Sequence, residues 1–484
     1  MTPIRLLTPL CLGLLLAGCA IGPDYQRPAL DAPAQFRHID GWKPAEPADE
    51  VEQGAWWKHY GDAELDALVE RLELDNQNLA AAEARFRQAQ ALVRSARAAF
   101  YPNLDVSAGA TRSGSGGGTD TFVTNGNTIS GGGSSRVSQS YNLGLSANWE
   151  LDVWGRLRRG LEASRADFQA SAADLAALRL SLQGELVRNV LQLRVLDRQA
   201  ELLEQTVAAY ERSLRLTENQ YRAGIAPRSD VTQATTQLRN AQAQRIDLEW
   251  QRAQLEHAIA VLVGRSPAEL QLAGDIQPPE VPAIPPQLPS SLLERRPDVA
   301  AAERRVMAAN ARIGVARAAY FPSLGLSASG GYRGSSFADW IDLPNRYWSV
   351  GPQLALTLFD GGARRADNER AIASYDETVA SYRQTVLEGF REVEDALIQL
   401  QVLEREVEVQ RQALEAARET LRLVENQYKA GMLDFLNVAS AQATALSSER
   451  TLLNLEGNRL LASVQLITAL GGGWQASRLQ EEAR

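Results

Sequence analysis

The chain has 484 residues, a formal net charge of −9 and an apolar fraction of 45%. This composition excludes an intrinsically disordered chain, because the apolar side chains suffice for a core. The acidic balance argues against nucleic acid as a partner. Only two cysteines are present, and Cys11 lies in a segment that we expect to be removed, so no internal disulfide is predicted.

Residues 1–18 have the pattern of a secretory signal peptide. Arg5 precedes an apolar run from Leu6 to Leu16, and small residues lead to Cys19. The ending Leu-Ala-Gly-Cys resembles the lipobox of bacterial lipoproteins, which implies that Cys19 is lipidated and begins the mature chain. Ala20 follows instead of an aspartate, and the same resemblance then implies sorting to the outer membrane. The alternative is an ordinary signal peptide with an incidental cysteine.

Residues 19–60 are rich in proline and are predicted to form an extended N-terminal strap. Apolar residues then recur at helical spacing from about residue 61 to Ala99. Pro102 ends this predicted helix, because the residue before a proline avoids helical angles. Beyond the signal peptide, no segment approaches the about 18 consecutive apolar residues of a transmembrane helix.

Two runs of about ten residues next alternate between apolar and small or polar side chains. They extend from Leu104 to Ala110 and from Tyr141 to Leu151, with a Gly/Ser-rich loop between them. The length suits a tilted membrane-spanning strand, although the alternation equally allows a soluble hairpin with one face on a core. Several aromatic residues lie toward the strand ends, where an aromatic girdle is expected. They are Trp149, Tyr332, Tyr347, Trp348 and Phe359.

A helix free of proline is predicted from Gly155 to about Arg222, roughly 100 Å long at 1.5 Å per residue. Its apolar residues recur at spacings of three, four and seven, which is typical of coiled coils. A returning helix about half as long is predicted from Asp230 to Val263.

The sequence LTENQYRAG at residues 216–224 recurs as LVENQYKAG at residues 423–431. Each copy ends a helical pattern at a glycine and precedes a second helical run, which predicts two equal helical hairpins lying side by side. The duplication extends over the whole mature chain. It predicts a first repeat at 61–264 with a β-hairpin at about 103–153, a Pro-rich linker at 265–295, a second repeat at 296–470 with a β-hairpin at about 323–359, and a tail at 471–484.

Catalytic and metal-binding patterns are missing from the sequence. Its three histidines, His38, His59 and His257, have no metal-ligand spacing, and there is no phosphate loop or nucleophile elbow. We therefore predict that the protein is not an enzyme, that it has no metal site, and that it has no cofactor apart from the covalent lipid on Cys19, with palmitate expected among its acyl chains.

Several features together resemble the TolC-like outer-membrane efflux proteins, in particular the lipoprotein branch that serves resistance-nodulation-division pumps. They are the lipobox, the sequence Gly22-Pro23-Asp24-Tyr25, the entries Ala98–Leu104 and Ala318–Leu324 into the strands, and the duplicated Asn-Gln-Tyr-x-Ala-Gly tips. The resemblance implies a mainly α fold with a membrane β-barrel. Three chains would pool four strands each into a twelve-stranded barrel, continued by a long periplasmic α-helical barrel with an equatorial belt.

The same resemblance implies a passive duct of a tripartite efflux pump in the outer membrane of a Gram-negative bacterium. Its partners would be two further copies of the chain, a periplasmic adaptor (membrane fusion protein), an inner-membrane pump and membrane lipid. Drugs or other small molecules are the expected cargo. Two alternatives stay open: a duct for type I protein secretion or metal-ion efflux, and a non-conducting periplasmic scaffold lipoprotein.

The hairpin tips are expected to contact the adaptor and surround the closed aperture. The residues concerned are Tyr221, Arg222, Ala223 and Gly224 with Tyr428, Lys429, Ala430 and Gly431. Candidates for the gate are Asp230, Asp434, Leu436, Asn437 and Ser440. Asp230 could instead cap its helix. Ser440 stands where family members often have an acidic residue, so the constriction is expected from Asp434 or from an apolar set, which comprises Met432, Leu433, Phe435 and Leu436.

Overall fold

The computed structural model describes residues 20–29, 36–37, 55–115, 120–124, 127–131, 136–274, 281–282 and 295–474. Cys19, most of the predicted strap and linker, and the end of the tail lie outside the described residues. The chain divides into two compact units. A sheet unit comprises the described parts of Met1–Arg27, Gln88–Phe168 and Arg305–Val379, and a helical unit comprises those of Pro28–Arg87, Gln169–Arg304 and Ala380–Arg484.

The sheet unit is organised around one antiparallel four-stranded sheet with the order β1-β4-β5-β6. Its strands are β1 (Asn103–Ser115), β4 (Arg136–Leu151), β5 (Ser323–Gly334) and β6 (Arg346–Ala355). The two β-hairpins predicted from alternation are therefore neighbours in one sheet. β6 ends at Ala355, several residues before the predicted end of its hairpin at about 359.

A second, two-stranded sheet lies within the stretch that was predicted to be a plain Gly/Ser-rich loop. It pairs β2 (Asp120–Thr124) with β3 (Asn127–Gly131). The loop prediction was wrong because the glycines and serines outweighed a local signal. β-branched and aromatic residues flank an Asn-Gly pair at residues 125–126, which is a strong sequence signal for a β-hairpin.

The strand register places apolar residues on one face of the four-stranded sheet and polar residues on the other. Leu104 lies opposite Ala147, Trp149 opposite Leu326, and Ala328 opposite Val350, all with the same parity. The alternate positions are mostly Ser, Gly and Asn. Tyr347 pairs with Gly331 on this polar face, so its assignment to the same aromatic girdle as Trp348 was wrong.

Seven α-helices are described. They are α1 (Ala63–Asp75), α2 (Gln77–Ala98), α3 (Arg156–Arg222), α4 (Arg228–Leu262), α5 (Pro297–Ala318), α6 (Ala363–Lys429) and α7 (Phe435–Ala469). α2 and α5 each have 22 residues, α3 and α6 each have 67, and α4 and α7 each have 35. These lengths are close to those predicted from periodicity and from the duplicated sequence.

The predicted helix up to Ala99 is interrupted at Asn76, which separates α1 from α2. The Asn76 backbone is extended, and its side-chain oxygen accepts hydrogen bonds from the amides of Asn78 and Leu79 at 2.9 and 3.0 Å. Its side-chain amide donates to the carbonyl of Leu262 at 2.7 Å. This buried asparagine therefore ends one helix, caps the next and binds the end of α4, which apolar periodicity alone did not reveal.

The core of the helical unit lies where α1 packs on three longer helices. Leu65, Leu72 and Leu186 are fully buried there, together with residues of α4 and α7. Each returning helix is followed by a glycine with positive φ, Gly264 at 68° and Gly471 at 91°. A Cβ on either glycine would overlap a backbone carbonyl oxygen, that of Asp75 or of Arg295. No larger residue fits this close approach.

Candidate functional site

Both helical hairpins turn through the same backbone motif. The amide of Gly224 donates to the carbonyl of Tyr221 and that of Ile225 to Gln220, at 3.0 and 2.8 Å. The second hairpin has the equivalent bonds from Gly431 and Met432, both at 2.9 Å. This is the Schellman arrangement, which needs a left-handed residue after the helix. Gly224 and Gly431 supply it with φ of 74° and 75°.

The tip residues predicted to contact a partner lie on the surface, with one exception. Arg222, Ala223, Lys429 and Ala430 are exposed, as are both glycines. Ile225 and Met432, immediately after the turns, are exposed apolar side chains. The exception concerns the duplicated tyrosines, since Tyr221 is 45% exposed whereas Tyr428 is only 7% exposed.

Tyr428 joins the two hairpins. Its hydroxyl group forms a hydrogen bond with Gln220 Oε1 and lies 3.4 Å from Thr217 Oγ1, and both partners belong to α3. Its ring meets Phe435 of α7 edge to face, with the ring centroids 5.8 Å apart. One side chain of α6 therefore binds both the neighbouring hairpin and the returning helix of its own hairpin.

The surroundings of Tyr428 favour its neutral hydroxyl group. Ala234 and Val438 belong to the small apolar cluster around its ring. Burial raises the pKa of the Tyr428 hydroxyl and nearby Asp230 raises it further, while the Thr217 hydrogen bond lowers it. The tyrosine therefore stays protonated and acts as a structural hydrogen-bonding group near neutral pH.

Side-by-side contact continues away from the turns. The side-chain amide of Gln237 on α4 donates to the carbonyl of Ala439 on α7 at 2.9 Å. The structure therefore brings the two duplicated tips into one layer of the helical unit, with Tyr428 at its centre.

Asp230 does not cap its helix, so that alternative was wrong. α4 begins at Arg228 with Pro227 in the N-cap position, and Asp230 lies in the first helical turn. Its Oδ1 accepts a hydrogen bond from Ser229 Oγ at 3.3 Å, and it is half-buried. A carboxylate in the first turn of a helix is favoured by the helix dipole. Asp434 occupies the N-cap position of α7 without a side-chain capping bond.

The other gate candidates share one surface. Leu436, Asn437 and Ser440 are exposed, and their spacing places them on one face of α7. Phe435, expected among the apolar gate residues, is instead 1% exposed and packs against Tyr428. The role of these exposed residues at a gate stays a prediction, and the sequence did not separate them from Phe435, which supports the tip.

Sequence reasoning missed the partners of Tyr428. Thr217 is fully buried although it lies in a long helix with a mostly polar surface. Its equivalent in the second copy is Val424 in the sequence LVENQYKAG. The available signal was the comparison of the two copies. Val424 of the second copy corresponds to Thr217 of the first, and the Thr217 hydroxyl group faces Tyr428.

The four-stranded sheet has two outer edges, β1 and β6, and neither is paired with another strand among the described residues. Its apolar face is open to the surroundings. Trp348, Leu354 and Val106 are 76%, 68% and 73% exposed. An open edge and a large exposed apolar face both indicate an interaction surface.

Two other kinds of feature are missing from the described part of the chain. No helix there is long and apolar enough to cross a membrane. Within the same residues, no cluster of histidine, cysteine, aspartate and glutamate could hold a metal ion.

Comparison with known proteins gives consistent matches over nearly the full length. Residues 68–265 and 288–472 match the family described as outer membrane efflux protein. The pyoverdine export outer membrane protein OpmQ of Pseudomonas aeruginosa is 34% identical over 474 residues, which cover 96% of each chain. The cation efflux system protein CusC of Escherichia coli K12 is 29% identical over 475 residues, covering 98% of this chain and 100% of CusC. The solved outer-membrane channel OprN aligns with a TM-score of 0.84 at 34% identity, covering 94% of this chain and 100% of OprN.

Proposed function

Since this chain belongs to the outer membrane efflux protein family, we propose that it is a trimeric export duct whose barrel crosses the outer membrane. The family membership confirms the resemblance, the efflux function and the outer-membrane location expected from the sequence. The relatives are channel proteins, which agrees with a function other than enzyme catalysis.

The observation that carries the proposal is a four-stranded sheet with one exposed apolar face and two edges that no other strand of the described residues pairs. A sheet of four strands does not close on itself, because even small membrane barrels need about eight strands. β1 and β6 have opposite directions, so the β6 edge of one copy can pair with the β1 edge of the next in an antiparallel ladder. Three copies would give a closed barrel of twelve strands with the apolar face toward lipid.

The helical tips would provide the periplasmic end of the proposed duct. The exposed face of α7 with Leu436, Asn437 and Ser440 would line the aperture around the threefold axis, and Asp230 and Asp434 would add charges near it. The exposed tip residues of both hairpins, together with the apolar side chains that follow the turns, would form the contact with a periplasmic adaptor. An inner-membrane pump would supply the energy, since the sequence contains no catalytic pattern that we recognise.

Lipid attachment at Cys19 is part of the proposal and rests on the lipobox. The residues that follow it support an anchor at the sheet unit: the amide of Ile21 donates to the carbonyl of Trp154, and Asp24 pairs with Arg159 at 2.8 Å. Cys19→Ala should abolish metabolic lipid labelling of the mature protein. A label that persists in this variant would remove the lipoprotein assignment.

The proposed cargo is a class of small molecules. The relatives are named for the export of pyoverdine and for cation efflux, so chemically different cargoes pass through similar ducts. The pump would therefore select the cargo, and this chain would conduct whatever small molecules the pump delivers.

The absolute mass of the mature protein in mild detergent, corrected for bound detergent, tests the trimer. We expect the mass of three chains, and planar-bilayer recordings of the same sample should show channels. A stable monomer, or a trimer without conductance, would contradict the duct and favour a non-conducting scaffold.

A further inference from the structure

We propose that Arg333 and Tyr347 form an anion-selective site on the inner wall of the barrel. This inference rests on the proposed trimeric duct, which turns the polar face of the sheet toward the lumen. The site lies within the sheet unit, near the ends of β4, β5 and β6 that are remote from the start of α3.

Tyr347 lies across three strands. It belongs to β6, pairs with Gly331 of β5, and its hydroxyl group donates to Asn142 Oδ1 of β4 at 3.3 Å. Gly144 provides the space for the Tyr347 hydroxyl group, and Gly331 allows the close approach of β5 to β4 beneath it. A Cβ at Gly144 would lie 2.7 Å from the Tyr347 hydroxyl oxygen, and one at Gly331 would overlap the carbonyl oxygen of Leu143.

Arg333 is held over the tyrosine ring, with its guanidinium carbon 5.2 Å from the ring centroid. A cation over an aromatic face at this distance is attracted by the ring. The side chain is exposed, and no ion pair joins it to a carboxylate among the described residues. Its positive charge is therefore exposed on the polar face and is not neutralised by an ion pair with a described carboxylate.

The carboxylates on the same face lie toward the other end of the strands. Asp105 pairs with Ser146 and accepts a hydrogen bond from Asn103, while Glu150 pairs with Arg156 at 2.6 Å. Arg333 pairs with Asn142 of β4. Measured along β4 from Asn142, Ser146 lies about 13 Å away and Glu150 about 27 Å away. These strand carboxylates therefore lie more than about one Debye length from Arg333 at 0.1 M salt, and the acidic residues nearest to it in the chain are Asp339 and Asp342 of the β5–β6 connection.

Three copies of this cluster in a closed barrel would form a ring of guanidinium groups near the outer exit. Guanidinium groups favour chloride and solutes that carry carboxylate or phosphate groups over cations. Tyr347 is the positioning residue, because it holds the arginine along the wall and does not itself carry the charge.

The test is the reversal potential of single channels in planar bilayers under a potassium chloride gradient. Arg333→Gln should lower the chloride-to-potassium permeability ratio by at least about twofold in 0.1 M salt, as expected for a unit charge about 10 Å from the ion in water. The effect should largely disappear near 1 M salt, where the Debye length is about 3 Å. Arg333→Lys should retain the wild-type ratio.

Arg346→Gln is the matched control. Arg346 is also exposed and pairs with Tyr332 at the same end of the sheet, but its parity places it on the apolar face. This variant should leave the permeability ratio unchanged. Tyr347→Phe should keep most of the selectivity, and Tyr347→Ala should reduce it.

The outcomes separate the two proposals. If Arg333→Gln and wild-type channels have the same chloride-to-potassium permeability ratio, the anion site is overturned and the duct stays intact. An equal shift in Arg346→Gln would overturn the assignment of the polar face to the lumen. Wild-type trimers that form no channels would overturn the duct and, with it, this site.

Discussion

The two hairpin tips have nearly the same sequence and turn, yet their tyrosines have opposite environments. Tyr221 is 45% exposed, whereas Tyr428 is buried against Phe435 and hydrogen-bonded to Gln220. The difference arises outside the duplicated segment. The position equivalent to Phe435 is Arg228 in the first hairpin, an exposed charged residue in place of a buried aromatic ring. A repeated motif therefore determines its own turn but not what the turn packs against.

The largest expected difference between the tips comes from removing each tyrosine side chain. Tyr428→Ala should destabilise the tip by about 3–5 kcal/mol, because a large buried aromatic residue leaves a cavity. Tyr221→Ala should change stability by no more than about 0.5 kcal/mol, as is usual for exposed residues. Amide hydrogen exchange of the last turns of α3 and α6 in the detergent-solubilised protein measures both effects. Equal protection in the two variants would show that the buried contact of Tyr428 contributes nothing specific.

A glycine replacement tests the property that the tips share. Gly224→Val and Gly431→Val should each cost about 1–3 kcal/mol, because valine is strained at positive φ. Apart from the adjacent residues in the chain, a Cβ at either position would have no atom within 4 Å, so backbone strain is the main expected cause and the two effects should be similar. Both variants should impair export at normal protein levels. Unchanged export in cells would contradict a role for the turns.

The smallest effect concerns protonation. The pKa of Tyr428 is raised, mainly by burial, so its contribution to stability should be complete below the ordinary tyrosine pKa of about 10. This contribution should be lost as the pH rises through the raised folded-state pKa. Asp230→Asn should lower the pKa of Tyr428, because the Asp230 charge raises it. Phenolate absorbance as a function of pH measures this pKa when the signal of a Tyr428→Phe variant is subtracted, both in the parent and in Asp230→Asn. An unchanged Tyr428 pKa in Asp230→Asn would exclude the Asp230 contribution.

Periodicity alone was sufficient for the long elements. The ends of α3 and α6 lie where proline-free helical spacing meets a glycine, because apolar repeats and a left-handed cap are local properties. The four strands were predicted from alternation for the same reason. Two short signals were missed because a longer pattern surrounded them. The Asn76 interruption lies within apolar helical periodicity, and the β2–β3 hairpin lies within a Gly/Ser-rich stretch.

The amino-acid sequence was sufficient to predict the two helical hairpins, the turn at each tip and the family to which the chain belongs. It was sufficient because each depends on residues close together in the chain, or on a pattern that is repeated. Three facts became visible only in the folded chain: Tyr428 is buried, Asp230 lies inside its helix, and Tyr347 reaches across β5 to β4 with Arg333 over its ring. These facts depend on partners from distant segments, such as Gln220 for Tyr428 and Asn142 for Tyr347, and on the register that brings them together.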